Sequence, residues 1–277
     1  MYLKPKTLGE AVSLLASSGG QILAGGTDFY PALGDSVPKA PVVDITALNE
    51  IRGISVDPGW IRIGGLTTWS EIVYAPLPHC FDALKAAARE VGSVQIQNRG
   101  TVAGNLCNAS PAADGVPPLL ALDAQIELRS TGGTRVIPLS EYITGNRKTV
   151  RRPNEILAAV RIPRMWDDAS SVFLKLGARR YLVISISMVA VVLLRNKSRS
   201  ITNARIAVGS CAAKAQRLHA LETALIGLAA EKGIGSAAGP EHLAPLSPID
   251  DVRATADYRR DASLTLVRRA LESCVQI

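Results

Sequence analysis

Two stretches of the chain carry the residue types that ligand chemistry needs. The first is Ile22-Leu23-Ala24-Gly25-Gly26-Thr27-Asp28-Phe29. A short apolar strand signal runs into two glycines, and Thr27 and Asp28 then open a short helix. Glycines there let backbone approach a ligand without Cβ obstruction, so successive N–H groups can converge on a phosphate. Thr27 can donate its hydroxyl, and Asp28 can fix the loop by capping. A plain strand–turn–helix with a capping residue fits these eight residues equally well.

The second stretch runs from Gln97 to Asp114: Gln-Asn-Arg-Gly-Thr-Val-Ala-Gly-Asn-Leu-Cys-Asn-Ala-Ser-Pro-Ala-Ala-Asp. Asparagines, glycines and hydroxyls alternate with Val102, Ala103, Leu106 and Ala109, which a purely solvated loop would not need. Backbone wrapped around a buried polar ligand suits this pattern, with Asp114 available for ribose hydroxyls. A long asparagine-rich loop packed on the core is the other reading. Neither stretch is the G-x-G-x-x-G fingerprint or the G-x-x-x-x-G-K-[ST] phosphate loop, which disfavours nucleotide binding by those folds.

Other chemistries have little to draw on. Cys80, Cys107, Cys211 and Cys274 are too widely spaced for a zinc site, a redox dithiol or an iron–sulfur cluster. The only histidines are His79, His219 and His242, which leaves a Ser/His/Asp triad or histidine-rich metal site poorly supplied. No metal is expected on this chain. The charge sum, 31 − 24 = +7, admits a nucleic-acid partner, an anionic ligand or an acidic partner surface. Basic residues are dispersed, with one denser cluster at Arg147-Lys148 and Arg151-Arg152. Aromatics are only 4%, too few for a base-stacking platform.

The elements that must position these stretches read as α+β. Thr7-Leu8-Gly9-Glu10 and Thr68-Trp69-Ser70-Glu71 are capping boxes that start helices. Strand signals fall at Gln21 to Ala24, Val42 to Asp44, Gly53 to Asp57 and Trp60 to Gly64, the last two joined by Asp57-Pro58-Gly59. Helices are expected over Phe81 to Val91 and Gly115 to Leu122, then a hairpin from Ala124 to Pro138. Further strands are expected over Glu155 to Ile162, Val172 to Leu176, Val183 to Leu194 and Ile201 to Val208. Helices near Ala215 to Ala230 and Ala262 to Val275 complete the chain. Strands and helices do not alternate regularly, which argues against a doubly wound parallel sheet. The longest apolar run, Leu182 to Leu194, is 13 residues, too short to span a bilayer. The N-terminus lacks a signal-peptide pattern, so a cytoplasmic protein is expected.

Together the motifs resemble the flavin-binding subunit of molybdenum hydroxylases, the xanthine dehydrogenase and carbon monoxide dehydrogenase family. Ala24-Gly25-Gly26-Thr27-Asp28 is similar to the family's first FAD motif. Thr101 to Asn105, continued by Ser110 to Asp114, is similar to the second. Gly64 to Thr68, Gly145 to Thr149 and Glu155 to Pro163 follow in order, and Phe173-Leu174-Lys175 opens the family's C-terminal domain.

The resemblance implies a two-lobed FAD-binding domain of the vanillyl-alcohol-oxidase type, with lobes at about 1–55 and 56–173. A small α+β domain at 174–277 would follow and pack near the isoalloxazine. It further implies that Ile22, Leu23, Ala24, Gly25, Gly26, Thr27, Asp28 and Phe29, with Thr101, Ala103, Gly104 and Asn105, hold the pyrophosphate. Asp114 would bind the adenosine ribose, and Leu157, Lys175, Tyr181 and Ile184 would approach the flavin. Without the resemblance, Lys175 reads as a solvated strand-end charge, and Tyr181 and Ile184 as ordinary core. No residue of this chain is assigned to substrate chemistry. An oxidoreductase subunit that transfers electrons is implied, with molybdenum pterin and [2Fe-2S] clusters on a large and a small partner. NAD-reducing relatives often carry acidic residues after the paired arginines, whereas this chain reads Arg179-Arg180-Tyr181-Leu182-Val183. The acceptor, NAD or oxygen, is therefore open. The Gly177 to Ser187 stretch is most similar to purine hydroxylases. The competing readings are a self-contained flavin oxidoreductase of the same fold, similar to the reductase of cell-wall precursor synthesis, and a basic nucleic-acid-binding protein.

Overall fold

The computed structural model describes residues 1–277. Strand β1 (Tyr2–Leu3), helix α1 (Leu8–Ser18), β2 (Gln21–Leu23), α2 (Phe29–Leu33) and β3 (Val42–Asp44) form the first unit. Its three strands are parallel in the order β1-β3-β2. The Thr7 hydroxyl accepts the Glu10 N–H at 3.2 Å, and Gly19 ends the helix at φ 61° while donating to Leu15 O. Between these caps Ala11, Val12 and Leu15 pack against Val43, Leu48 and Ile51.

The next unit comprises β4 (Ile54–Val56), β5 (Trp60–Gly64), α3 (Trp69–Tyr74), α4 (Asp82–Glu90), α5 (Val94–Gln97), α6 (Val102–Asn108) and α7 (Val116–Ala121). It continues through β6 (Gln125–Ser130), β7 (Gly133–Pro138), α8 (Leu139–Tyr142), β8 (Ile143–Gly145), β9 (Lys148–Thr149) and β10 (Ile156–Pro163). A five-stranded antiparallel sheet in the order β4-β5-β10-β6-β7 is its frame. The central strand β10 pairs with β5 and β6, and its register to β6 shifts between Leu157 and Ala159. Such a bulge re-aims the side chains beside it. The second chemistry-bearing stretch is not a continuous loop, because Thr101 caps the short helix α6.

The C-terminal unit has β11 (Ser170–Leu176), β12 (Ser187–Arg195), β13 (Ile201–Gly209), β14 (Gln216–Arg217), α9 (His219–Leu225) and α10 (Ala256–Cys274). Its antiparallel sheet runs β11-β12-β13-β14. Alternation on β12 explains the long apolar run. Met188, Ala190 and Val192 enter the core shared with α7, whereas Val189, Val191 and Leu193 face the core under α10. Burying each larger side chain contributes roughly 1.5–3 kcal/mol, so a strand covered on both faces must be apolar throughout.

Two expectations fail here. β12 begins at Ser187 rather than Val183, since Leu182 takes φ 52° and both Leu182 and Ile184 point to solvent. The helix expected near Ala215 to Ala230 is strand β14 followed by the single short helix α9. Arg217 is pinned there by Asp123 and by the buried Glu222, and Gly227, at φ 86°, follows the helix end. No helix is long and apolar enough to cross a membrane.

Candidate cofactor-binding site

A cavity of about 450 Å³ lies between the β2–α2 turn on one side and α6 and the start of β10 on the other. That volume is within the roughly 300–1,000 Å³ range of small-molecule sites. Its walls are largely apolar, with Ile22, Phe29, Ile45, Trp69, Ile96 and Leu157 among them.

Polar capacity comes mainly from the backbone. Tyr30 N–H donates to Gly26 O and Ala32 N–H to Asp28 O, but the six amides from Ala24 to Phe29 find no acceptor within the chain. Across the cavity the amides of Thr101 and Ala103 are similarly free. The Thr101 hydroxyl accepts from Gly104 N–H at 3.0 Å, which leaves its own hydrogen to donate. Asn105 Oδ1 is buried and has no partner. Buried polar atoms are nearly always paired, so this orphan beside a cavity points to a ligand donor.

Asp28 does not cap α2. Its carboxylate accepts from Asn108 Nδ2 at 2.9 Å, which ties the β2–α2 turn to α6 across the cavity mouth. The turn glycines also owe their identity to packing. A Cβ on Gly25 would stand 1.9 Å from Arg99 O, and Gly26 takes φ 78° with a Cβ position 2.8 Å from the Tyr30 ring. The chain's own backbone, before any ligand, forbids a side chain at Gly25.

Of the residues expected to bind, Ile22, Ala24, Gly25, Gly26, Thr27, Asp28 and Phe29 line the cavity, as do Thr101, Ala103, Gly104, Asn105 and Leu157. Leu23 borders an adjoining, more polar cavity that shares Ala24, Gly25, Gly26 and Thr101. Asp114 and Lys175 are brought together elsewhere, as an ion pair at 2.8 Å. Tyr181 and Ile184 are exposed on the 177–186 loop, not packed in a core. No residue of the C-terminal unit lines the cavity.

Sequence reasoning did not single out Gly65, Trp69, Cys107 and Arg151, which also line it. Gly65 and Trp69 sit in or beside the Gly64-to-Thr68 motif, and Cys107 inside the second stretch. Arg151 belongs to the basic cluster, where one-dimensional spacing cannot separate a cavity cation from a solvated one. Although Cys107 opens onto the cavity, desolvation by the protein packed around it pushes its thiol above the ordinary pKa, while the Tyr142 hydroxyl at 3.2 Å and the charge of Arg151 act against that shift.

Residues 1–165 match the family described as the FAD binding domain in molybdopterin dehydrogenase. The chain belongs to that family. Residues 173–274 match the CO dehydrogenase flavoprotein C-terminal domain. The chain is 28% identical over 276 residues to the carbon monoxide dehydrogenase medium chain of Hydrogenophaga pseudoflava, covering 98% of this chain and 96% of that one. It is 39% identical over 193 residues to the nicotinate dehydrogenase FAD-subunit of Eubacterium barkeri, covering 67% of this chain and 65% of the relative. A solved structure of carbon monoxide dehydrogenase from Hydrogenophaga pseudoflava superposes with a TM-score of 0.88 at 29% identity, covering 99% and 96% of the two chains. This flavoprotein is thus an oxidoreductase subunit of the molybdenum hydroxylase family.

The cavity of this FAD-binding domain fits a flavin dinucleotide on its own evidence. Free amides suit a pyrophosphate, apolar walls suit flat rings, and the orphaned Asn105 Oδ1 awaits a donor. Nothing comparable suits a metal: no three His, Cys, Asp or Glu side chains group closely enough to hold one.

Proposed function

We propose that this chain is the electron-transfer subunit of a multi-subunit molybdenum hydroxylase. It would receive electrons from iron–sulfur clusters and deliver them to an acceptor such as NAD or oxygen. Bound FAD supplies the ability to take electrons singly and release them as a pair. In this reading lobes at 1–55 and 56–173 clasp the cofactor, and residues 174–277 form the flank where the flavin ring meets its partners. The carrying observation is the cavity with its run of acceptor-free amides at Ala24 to Phe29.

The chain's own contribution is binding and exclusion. Amides from the β2–α2 turn and from α6 take the pyrophosphate, and the Thr27 and Thr101 hydroxyls add donors. Apolar walls from Trp69, Ile96 and Leu157 keep water from the rings. Asp28 and Asn108 hold the two sides at a fixed separation. The buried Asp114–Lys175 pair, with Ser185, fixes the 177–186 loop that carries Tyr181 and Ile184 toward a flavin or partner surface.

No three metal-ligating side chains of this chain come together, its four cysteines included, which supports placing molybdenum pterin and [2Fe-2S] clusters on a large and a small partner subunit. Unpaired thiols also agree with a reducing, cytoplasmic setting. The relatives named above are subunits of enzymes named for carbon monoxide and nicotinate, and in this reading the substrate, purine or other, is selected on the large partner. Purification settles the proposal. A yellow protein with stoichiometric FAD that co-purifies with molybdenum- and iron-bearing subunits supports it. Colourless protein that takes up no FAD, and binds duplex DNA tightly at physiological salt, overturns it.

A further inference from the structure

Only two charged side chains line the cavity, Asp28 and Arg151. The four basic residues around the β8–β9 hairpin are not equivalent. Arg147, Lys148 and Arg152 are exposed, whereas Arg151 is half-buried and turned into the cavity. Its guanidinium is held in place from one side, with Nη1 donating to Arg152 O at 3.1 Å, Pro153 O at 3.5 Å and Glu155 O at 2.7 Å. Nε and Nη2 have no acceptor, and no carboxylate pairs with the group. A guanidinium has five N–H donors, so those on Nε and Nη2 remain for a ligand.

The charge of the lining favours such a group: the exposed Arg147 is engaged by Asn108 Oδ1, and Lys4, Arg52 and Arg99 line the adjoining cavity instead. Asp28 carries the only negative charge on the lining, and its single side-chain donor, Asn108, is neutral. Without Arg151, a dianionic pyrophosphate would enter a lining of net negative charge. Backbone amides offer partial charges but no full cation. We propose that Arg151 is a cofactor-binding residue of this chain, whose Nε and Nη2 donate to the pyrophosphate of FAD and offset Asp28. Held by three carbonyls, it reaches the ligand already oriented, so little side-chain entropy is lost on binding. The assignment rests on the FAD reading.

The test compares flavin binding to FAD-free full-length protein, wild type against Arg151→Gln and Arg151→Lys. FAD is one probe, and riboflavin, which has the ring without phosphate, is the other. Arg151→Gln should weaken FAD by about tenfold, the scale of one charge-assisted hydrogen bond. Its FAD affinity should also respond less to added salt, because a charge pair has been removed. Arg151→Lys should restore part of the affinity and of the salt response, and riboflavin binding should stay within about twofold in both variants. FAD affinity unchanged in Arg151→Gln overturns the assignment. Equal weakening of FAD and riboflavin overturns it too, since the residue would then act on the ring or the loop. Wild-type protein that binds no flavin fails the FAD reading itself, a result distinct from either.

Discussion

Lys175 Nζ lies 2.8 Å from Asp114 Oδ2, with both side chains almost wholly buried. Ser185 donates to the other carboxylate oxygen at 2.7 Å, and Glu90 O stands 3.5 Å from the ammonium. Asp114 comes from the segment between α6 and α7, Lys175 from β11, and Ser185 from the loop before β12. The pair therefore joins the C-terminal sheet to the segment that links α6 to α7. Burial pushes the Asp114 carboxyl above its ordinary pKa, and Lys175 and Ser185 oppose that shift. Any cofactor contact from either residue must be made by a group already ion-paired.

Removing one partner should cost far more than removing both. Lys175→Met or Asp114→Leu alone leaves an uncompensated buried charge, at roughly 3–5 kcal/mol. The double variant should recover most of that loss. Urea unfolding of the three variants measures it, and singles that each cost under about 1 kcal/mol would refute the anchoring role.

Gly25 should be the more demanding of the turn glycines. Gly25→Ala drives a Cβ into Arg99 O, a rigid backbone atom, and should destabilise by at least the roughly 1–3 kcal/mol of overpacking. Gly26→Ala meets only a swingable Tyr30 ring and a left-handed backbone, at about 1–2 kcal/mol. Thermal melts of cofactor-free protein should rank them in that order. Equal melting temperatures would mean that the turn yields more freely than its geometry implies.

Asn105→Ala should separate binding from stability. Its Oδ1 has no partner to lose, so cofactor-free protein should change by less than about 1 kcal/mol. FAD affinity should fall by about tenfold if that oxygen takes a ligand hydrogen bond. Melts with and without FAD give both numbers, and an unchanged FAD-induced shift would count against the contact.

Cys107 opens onto the cavity, while Cys80, Cys211 and Cys274 are buried. One thiol per native chain should therefore react with a maleimide. Because its pKa is raised, the rate should be slow near neutrality and climb with pH. Bound FAD should block it, and Cys107→Ser should abolish it. Mass spectrometry reads the outcome; labelling indifferent to FAD would place the cofactor elsewhere.

Asp251 supplies the pH prediction. Its carboxylate accepts from Arg253 N–H at 2.8 Å and from the buried Arg259 guanidinium at 2.7 Å, and its pKa is lowered to about 2. A depressed folded-state pKa gives stability that is full above the unfolded value, about 4, and is lost as pH falls through about 2. The stability gap between wild type and Asp251→Asn should accordingly shrink between pH 5 and pH 2.5. Denaturant midpoints at the two values test it, and a constant gap would show that the charge is immaterial.

Local signals were legible wherever one turn of chain decides the outcome. Thr7 and Thr68 cap their helices through the side chains that the Thr-x-x-Glu spacing marks, and Asp57-Pro58-Gly59 closes the β4–β5 hairpin. Most of the cavity lining was legible as well, but through the ordered resemblance of the two stretches to a family's motifs, since each glycine-rich run alone fits a plain turn or packed loop equally well. What failed was whatever depends on a distant partner. Asp28 looked like a cap but meets Asn108, 80 residues away. The apolar residues Val183 and Ile184 looked like strand but have no ladder neighbour, since the turn at Leu182 carries them off the sheet edge.

Composition, spacing and motif order by themselves determined the α+β class, the family and the two stretches that line the cavity, because those depend on local backbone and side-chain chemistry. Only the tertiary structure decided that Gly25 is required by Arg99, that Asp114 pairs with Lys175, and that Arg151 alone of its basic cluster enters the cavity. Each is a matter of which atoms meet across long sequence separations. That is set by the packing of sheets and helices, and spacing along the chain does not encode it in readable form.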